Sequence, residues 1–255
     1  VPVGGLEVEK TAMNTLRVAT YNIHKGVQGL GPTRRLEIHN LVHAVEQFDA
    51  DVVCLQEVRG VNRRMQRLFA HWPVEGQAHF LAPEGYEAVY HTNAVTRHGD
   101  HGNALLTRWP VLAQQHQDVS DHRFEQRGLL HVTVQAHERP LHVVVVHLGL
   151  IHASRERQVQ ALRRFVEAHV PAQEALIVAG DFNDWEARLH RPMAEFGLHT
   201  FEDMRLPTFP ARLPLLNLDR IYARGLRPIH AYVPHGRAWR RMSDHLPLIA
   251  ELAWD

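Results

Sequence analysis

Apolar positions along the chain recur with two periods, one of about 2 residues and one near 3.6, and the two periods alternate. Residues 16–23 (LRVATYNI) alternate as a half-buried strand does. Thr33 then offers an N-cap to a helix whose apolar stripe is Leu36, Ile38, Leu41, Val42, Val45 and Phe48. Residues 52–55 form a short apolar run of the buried-strand type, and residues 104–107, 129–135 and 141–147 predict three further strands. Ser154 is placed to cap a second amphipathic helix carrying Val159, Leu162, Phe165 and Val166, which Pro171 prevents from continuing. Residues 175–179 predict a strand, residues 218–223 and 229–233 a pair joined by a turn near Gly225, and residues 246–252 a closing strand. Residues 205–216, with three prolines, read as a loop. No Pro/Gly/Ser linker and no internal repeat divides these elements. The expectation is a flexible leader over residues 1–14 and a single α/β domain over residues 15–255.

Composition narrows the partners. The 28 basic and 28 acidic residues cancel, and no run of five like charges or basic cluster interleaved with aromatics occurs, so a polyanion would have to be held by a local patch. The 21 histidines gain charge just below neutrality. Cys54, the only cysteine, excludes an internal disulfide, and its apolar neighbours mark it as a buried structural thiol. No stretch approaches the roughly 18 apolar residues of a transmembrane segment, and no secretory signal pattern is evident, so a cytoplasmic location is expected.

Polar residues suited to metal or proton chemistry stand at the ends of the apolar runs: Asn22 and His24, Gln56 and Glu57, His147, Asp181 and Asn183, Asp219, Asp244 and His245. Strand ends are where a sheet protein builds its site. Taken singly, an Asp or Asn after a strand is a turn former whose side chain bonds nearby backbone amides. Together they fall into an ordered series: YNIHKG at 21–26, LQEV at 55–58, GNALLTR at 102–108, HLG at 147–149, GDFND at 180–184, LDRI at 218–221 and SDHLP at 243–247. This series resembles the endonuclease/exonuclease/phosphatase superfamily, in a bacterial branch marked by YNIHKG, over nearly the whole chain.

That resemblance implies a four-layer α/β/β/α sandwich of the DNase I-like type, two mixed β-sheets face to face with helices outside. It also implies hydrolysis of phosphoric ester bonds with Mg²⁺ or Mn²⁺. Such chemistry needs a cation on the phosphoryl oxygens, a base for water and compensation of charge in the transition state. Glu57 is the expected main metal ligand, with Asn22 and Asp244, a hard-oxygen set of the kind Mg²⁺ takes; the structural alternative for Glu57 is an ion pair with Arg59 or Arg63. Asp181 is expected to activate water with Asn183, which lies two residues on and so on the same side if the segment is extended. An Asx turn is the structural alternative. His245 and Asp219 are expected to form a dyad in which the carboxylate fixes the imidazole tautomer and raises its pKa. By the same resemblance His147 protonates the leaving oxygen or binds phosphate, and Arg127 and Asn103 contact phosphate.

One position departs from the pattern of the abasic-site endonucleases: His24 stands where they carry an aspartate, which removes a carboxylate and leaves His24 to bind phosphate or metal. The superfamily pattern does not fix the substrate. A phosphodiester of a lipid or small molecule is the expected substrate, with nuclease action on DNA or RNA the alternative. Residues 93–101, 117–127 and 205–217 are expected to form the rim. A binding module that keeps the fold without turnover would have lost Glu57 or the final Asp-His pair, and a zinc enzyme would need an HExxH helix or a close Cys/His set, neither of which the chain has.

Overall fold

The alternation of residues 16–23 becomes strand β1 (Thr15–Asn22) in a computed structural model that describes residues 15–201 and 204–255; the expected leader at residues 1–14 lies outside them. In chain order there follow β2 (Val27–Gln28), β3 (Arg35–Leu36), β4 (Val52–Val58), β5 (Glu87–Thr96), β6 (Gly99–Thr107) and β7 (Val111–Asp118). The second half adds β8 (Gly128–Ala136), β9 (Arg139–His147), β10 (Ala175–Asp181), β11 (Asp219–Arg224), β12 (Leu226–Tyr232) and β13 (Leu248–Trp254). A six-stranded sheet runs in the order β12-β13-β1-β4-β6-β5, and a five-stranded sheet in the order β11-β10-β9-β8-β7.

Three apolar clusters hold the layers together. Val18, Cys54, Leu105, Leu248 and Leu252 of the first sheet meet Val132, Val143, Val145, Ile177 and Ile221 of the second, filling the space between the two. The outer face of the first sheet, with Tyr21, Val53, Leu55 and Leu106, packs on the Ile38–Phe48 helix through Leu41, Val45 and Phe48. Val144, Val146, Leu176 and Val178 of the second sheet face outward onto Val159, Leu162, Phe165 and Val166 of the His152–His169 helix. Each fully buried branched residue contributes about 1.5–3 kcal/mol, so the run Val143–Val146 supports two layers at once. The four-layer α/β/β/α sandwich is therefore the fold. No helix among the described residues is long and apolar enough to cross a membrane.

Strand direction explains why the chemistry collects at one edge. β1 and β4 are parallel, as are β9 and β10, so Asn22 and Glu57 end one pair while His147 and Asp181 end the other in register. β11 and β13 run antiparallel to their neighbours β10 and β1, so Asp219 and the residues just before Leu248 arrive at that same edge.

The fold differs from the sequence reading in four places. The first helix begins at Ile38 with Glu37 as N-cap; Thr33 instead closes a 3₁₀ turn, its hydroxyl donating to the Leu30 carbonyl, and Leu36 lies in β3. Ser154 sits inside the second helix, where its Oγ donates to Asp121 Oδ2 at 2.6 Å, and Ile151 takes the N-cap position. The sequence reading does not place the edge strands β5 and β7, because their residues are mostly exposed or half-exposed and leave no regular apolar alternation. Residues 218–223 and 229–233 become β11 and β12, which belong to different sheets and do not pair. Gly225, at φ +68°, makes the turn between the layers.

A buried histidine network ties the second sheet to the turn that follows its helix. His142 Nε2 lies 2.5 Å from Glu174 Oε2, and its Nδ1 is 2.9 Å from His131 Nε2. His131 Nδ1 is buried without a partner. Burial, with His142 and His169 nearby, pushes the His131 pKa down to about 4. A base depressed in the folded state stabilises the fold fully above its unfolded pKa of about 6.5, and that contribution is lost as pH falls towards 4. The loss of unfolding free energy between pH 7 and pH 4.5 is expected to shrink by about 2 kcal/mol in His131→Leu, measured by urea denaturation. An unchanged acid limb would show that His131 is not the group responsible.

Candidate active site

Asp181, the last residue of β10, is the centre of the site. Its Oδ2 accepts from Asn22 Nδ2 at 3.1 Å, which links the two sheets, and lies 3.6 Å from both His147 Nε2 and His245 Nε2. Its Oδ1 accepts the Asn183 backbone N–H at 3.0 Å. Gly180 before it is required by close packing: a Cβ there would lie 1.9 Å from the Val146 carbonyl oxygen. His245 Nδ1 is 2.8 Å from Asp219 Oδ2, so the expected dyad is formed. Phe209 packs on the His245 ring with centroids 4.9 Å apart, which places the 205–217 loop beside the site as the rim reading requires.

These buried groups shift one another. Burial opposes a charge on His245, but Asp219 and Asp181 outweigh it and raise the imidazole to about 10, so it is a cation at neutral pH. Burial raises Asp181 to about 7, with Asp219 adding to the effect and His245 and Asn22 opposing it. His147 is depressed well below its usual range by burial and by Arg127. The ring stands against the Asp181 carboxylate rather than in solvent, buried at the end of β9.

Glu57 lies in a bulge of β4, where the register to β6 shifts between Leu55 and Val58, and its φ of +57° turns the side chain into the site. Four of the seven non-glycine residues with positive φ among those described belong to this region: His24, Lys25, Glu57 and Asn183. Clustered backbone strain of this kind accompanies functional sites. Neither Arg59 nor Arg63 pairs with Glu57; Lys25 does, at 2.6 Å. Burial would raise the Glu57 pKa, but Lys25, His147 and His24 overcome it and hold the carboxylate well below its ordinary range. His24 Nδ1 lies 3.1 Å from Asp244 Oδ2 and 3.9 Å from Glu57 Oε2, so two carboxylates flank one imidazole. Burial raises Asp244, yet His24 and His245 bring its pKa below the usual value.

Two groups of residues could hold a metal. Asp181, Asp219 and His245 have donor atoms within 4.8 Å of one another, but the His245 cation already occupies the space between the carboxylates, with one ring nitrogen towards each. Glu57 and Asp244, with the Asn22 amide oxygen, offer hard oxygens and two carboxylates held ionised, a donor set for a hard divalent cation, which would have to displace the Lys25 ammonium from Glu57 and the His24 ring from between the carboxylates.

The remaining expected site residues are placed less directly. Asn183 is not on an extended segment: its φ is +49°, its Nδ2 donates to the Leu148 carbonyl, and the Asx-turn alternative is what forms. Arg127 pairs with Glu125 at 3.0 Å and donates to the Leu148 carbonyl at 3.1 Å, bracing the loop after β9. Asn103 donates to the Gly128 and Val145 carbonyls, a strut from the first sheet to the second rather than a phosphate contact. Asn103→Ala is expected to destabilise the fold by about 1–3 kcal/mol in urea unfolding, because two buried carbonyls lose their donor; a change within error would remove the strut.

Several features escaped the sequence reading. Lys25 lies inside the YNIHKG segment, but only the left-handed turn over His24 and Lys25 brings its amine to Glu57. The segment 93–101 is not a free loop; it is mostly the β5–β6 hairpin, whose tip carries Arg97 and His98. Buried Arg155 donates to the Gly149 and Leu150 carbonyls and stacks on Trp185, with 4.7 Å to the ring centroid, fixing the loops after β9 and β10.

Comparison with known proteins agrees with this architecture. The family model described as "Endonuclease/Exonuclease/phosphatase family" matches residues 19–245. The uncharacterized protein YbhP of Escherichia coli (strain K12) is 36% identical over 252 residues, covering 96% of this chain and 98% of that protein. A mannosyl-6-phosphatase of Bacteroides thetaiotaomicron has a TM-score of 0.72 at 18% identity, covering 94% of this chain and 100% of that one. The human Nocturnin catalytic domain, solved with a bound sulfate, has a TM-score of 0.70 at 20% identity, covering 95% and 94%.

Proposed function

The chain belongs to the endonuclease/exonuclease/phosphatase family, and from that premise we propose that it is a metal-dependent hydrolase of phosphodiester bonds. The observation that carries the proposal is the buried set Asn22, Asp181, His245 and Asp219 joined across the two sheets, with ionised Glu57 beside His24 at the same edge. Asn22, Glu57 and Asp244 would hold the cation, which when bound polarises a phosphoryl oxygen and offsets its charge.

The protein groups divide the remaining work. Asp181, raised towards neutrality, is matched to accept a proton from the attacking water at physiological pH. Asn22 Nδ2 and the Asn183 N–H, each bonded to one of its oxygens, hold the carboxylate in a fixed orientation. His245 stays protonated, and its Nε2–H, which faces Asp181 at 3.6 Å, would compensate charge on a phosphate bound beside that carboxylate as the transition state forms. Asp219 fixes that tautomer through Nδ1. His147, 3.6 Å from Asp181, would orient that carboxylate or the phosphate. With His24 the site has an imidazole in contact with both Glu57 and Asp244, so His24 would set the spacing of the two carboxylates.

The reaction is tested by hydrolysis of bis(p-nitrophenyl) phosphate with Mg²⁺, Mn²⁺ or chelator. Turnover that requires the cation supports the reading, and its absence with every divalent metal would overturn it. The expectation of a lipid or small-molecule diester has one feature on its side, Leu213 and Leu215, which stand exposed on the loop that carries Phe209 beside His245. Release of headgroup from phospholipid vesicles is its measurement.

A further inference from the structure

Arginines far apart in the sequence converge beside the proposed site. Arg63, Arg64 and Arg67 lie on the Arg63–Leu68 helix, Arg97 and His98 at the β5–β6 hairpin tip, and Arg34 after the Gly31–Thr33 turn. They line two adjoining cavities. One of about 340 Å³ reaches His24 and Lys25, the other of about 790 Å³ continues away from them, and both share Arg34, Arg64 and His98. Backbone bonds hold the walls in place: Arg63 N donates to the His98 carbonyl at 2.9 Å and Asp100 N to the Val61 carbonyl at 3.0 Å, while Asn62 caps the helix through Met65 N.

No carboxylate lines either cavity, and none of the arginines at 34, 63, 64, 67 and 97 forms an ion pair among the described residues. Arg59, which lines the smaller cavity, has Nη1 buried without a hydrogen-bond partner. In a chain with equal numbers of acids and bases, unpaired guanidinium groups gathered in one recess repel one another and favour an anion among them. The shape then selects among anions. A bilayer is flat and meets only the rim of a recess, whereas a strand with a phosphate on every unit can lie along it.

We propose that this trough binds the phosphodiester backbone of a nucleic-acid strand, the phosphates next to the scissile one running from Arg34 past Arg64 to Arg67 and Arg97. The substrate class rests on the phosphodiesterase reading above and puts a nucleic-acid strand in place of the lipid or small-molecule diester. Contacts would be to phosphate, so binding would be steeply salt-dependent and weakly sequence-dependent.

The test uses the full chain with Asp181→Asn to stop turnover, Mg²⁺ present, and a fluorescein-labelled single-stranded oligonucleotide read by anisotropy at about 50 and 200 mM salt. Vesicles rich in phosphatidylglycerol form the second arm, and hydrolysis of bis(p-nitrophenyl) phosphate by the wild-type chain forms the third. The oligonucleotide is expected to bind, and R67S/R97S is expected to weaken it about tenfold or more and to lower the salt slope by about 1–2, as loss of two phosphate contacts requires. R67K/R97K should recover most of the affinity, which separates charge from folding. Equal binding by R67S/R97S, or binding to vesicles with none to the oligonucleotide, would overturn the trough even if the small diester is hydrolysed. Arginine-dependent oligonucleotide binding without diester hydrolysis under any metal would leave the trough standing and remove the reaction.

Discussion

His245→Ala and Asp181→Asn are each expected to lower kcat on a phosphodiester by about 10² or more with saturating metal, the scale for losing a positioned acid/base or a transition-state charge. The imidazolium compensates charge that is largest in the transition state, and the Asp181 carboxylate is useful only while water is being deprotonated. Both losses should therefore fall on kcat rather than on KM. Asp219→Asn should show part of the His245→Ala effect, because the amide still contacts Nδ1 but no longer holds the ring protonated. His245→Ala leaves Asp219 buried without its cation, which is itself destabilising. His245→Gln keeps a donor there and provides the control, with circular dichroism confirming the fold. If these variants raise KM and leave kcat untouched, the residues bind substrate without taking part in the chemical step.

How much of this was legible beforehand depended on where each signal sits. The two periods located most elements, since the sheets are buried on both faces and the helices on one. The edge strands β5 and β7 were invisible because their exposed residues carry no alternation. Asn22, His147, Asp181 and Asp219 could be read as one edge because each terminates or begins an apolar run, and the parallel pairs β1/β4 and β9/β10 turn sequence ends into a spatial row. The bulge at Glu57 and the left-handed turn at His24 and Lys25 are backbone events of one or two residues, and no periodicity announces them. The arginine trough was hidden for another reason: its residues come from a turn, a short helix and a hairpin tip, and a zero net charge averages them away.

Chelation with excess EDTA is expected to abolish turnover, and Glu57→Gln to weaken metal binding and lower kcat together by at least about tenfold. The reasoning starts from charge. Burial would favour a neutral Glu57, and the protein overrides that above all with Lys25, by charge and by hydrogen bond. Holding a half-buried carboxylate ionised so firmly is useful for gripping a cation, and the amide introduced by Glu57→Gln removes the charge while keeping the shape. Lys25 makes the variant informative, because its ammonium, 2.6 Å from Glu57 in the wild-type chain, would lose its counter-ion and repel a divalent ion. Metal affinity can be followed without turnover, by Mn²⁺ relaxation or by isothermal titration with Mn²⁺, so the binding effect is separable from the rate. Full activity in chelator, or Mn²⁺ affinity unchanged in Glu57→Gln, would remove Glu57 as the ligand and direct attention to the Asp181, Asp219 and His245 group instead.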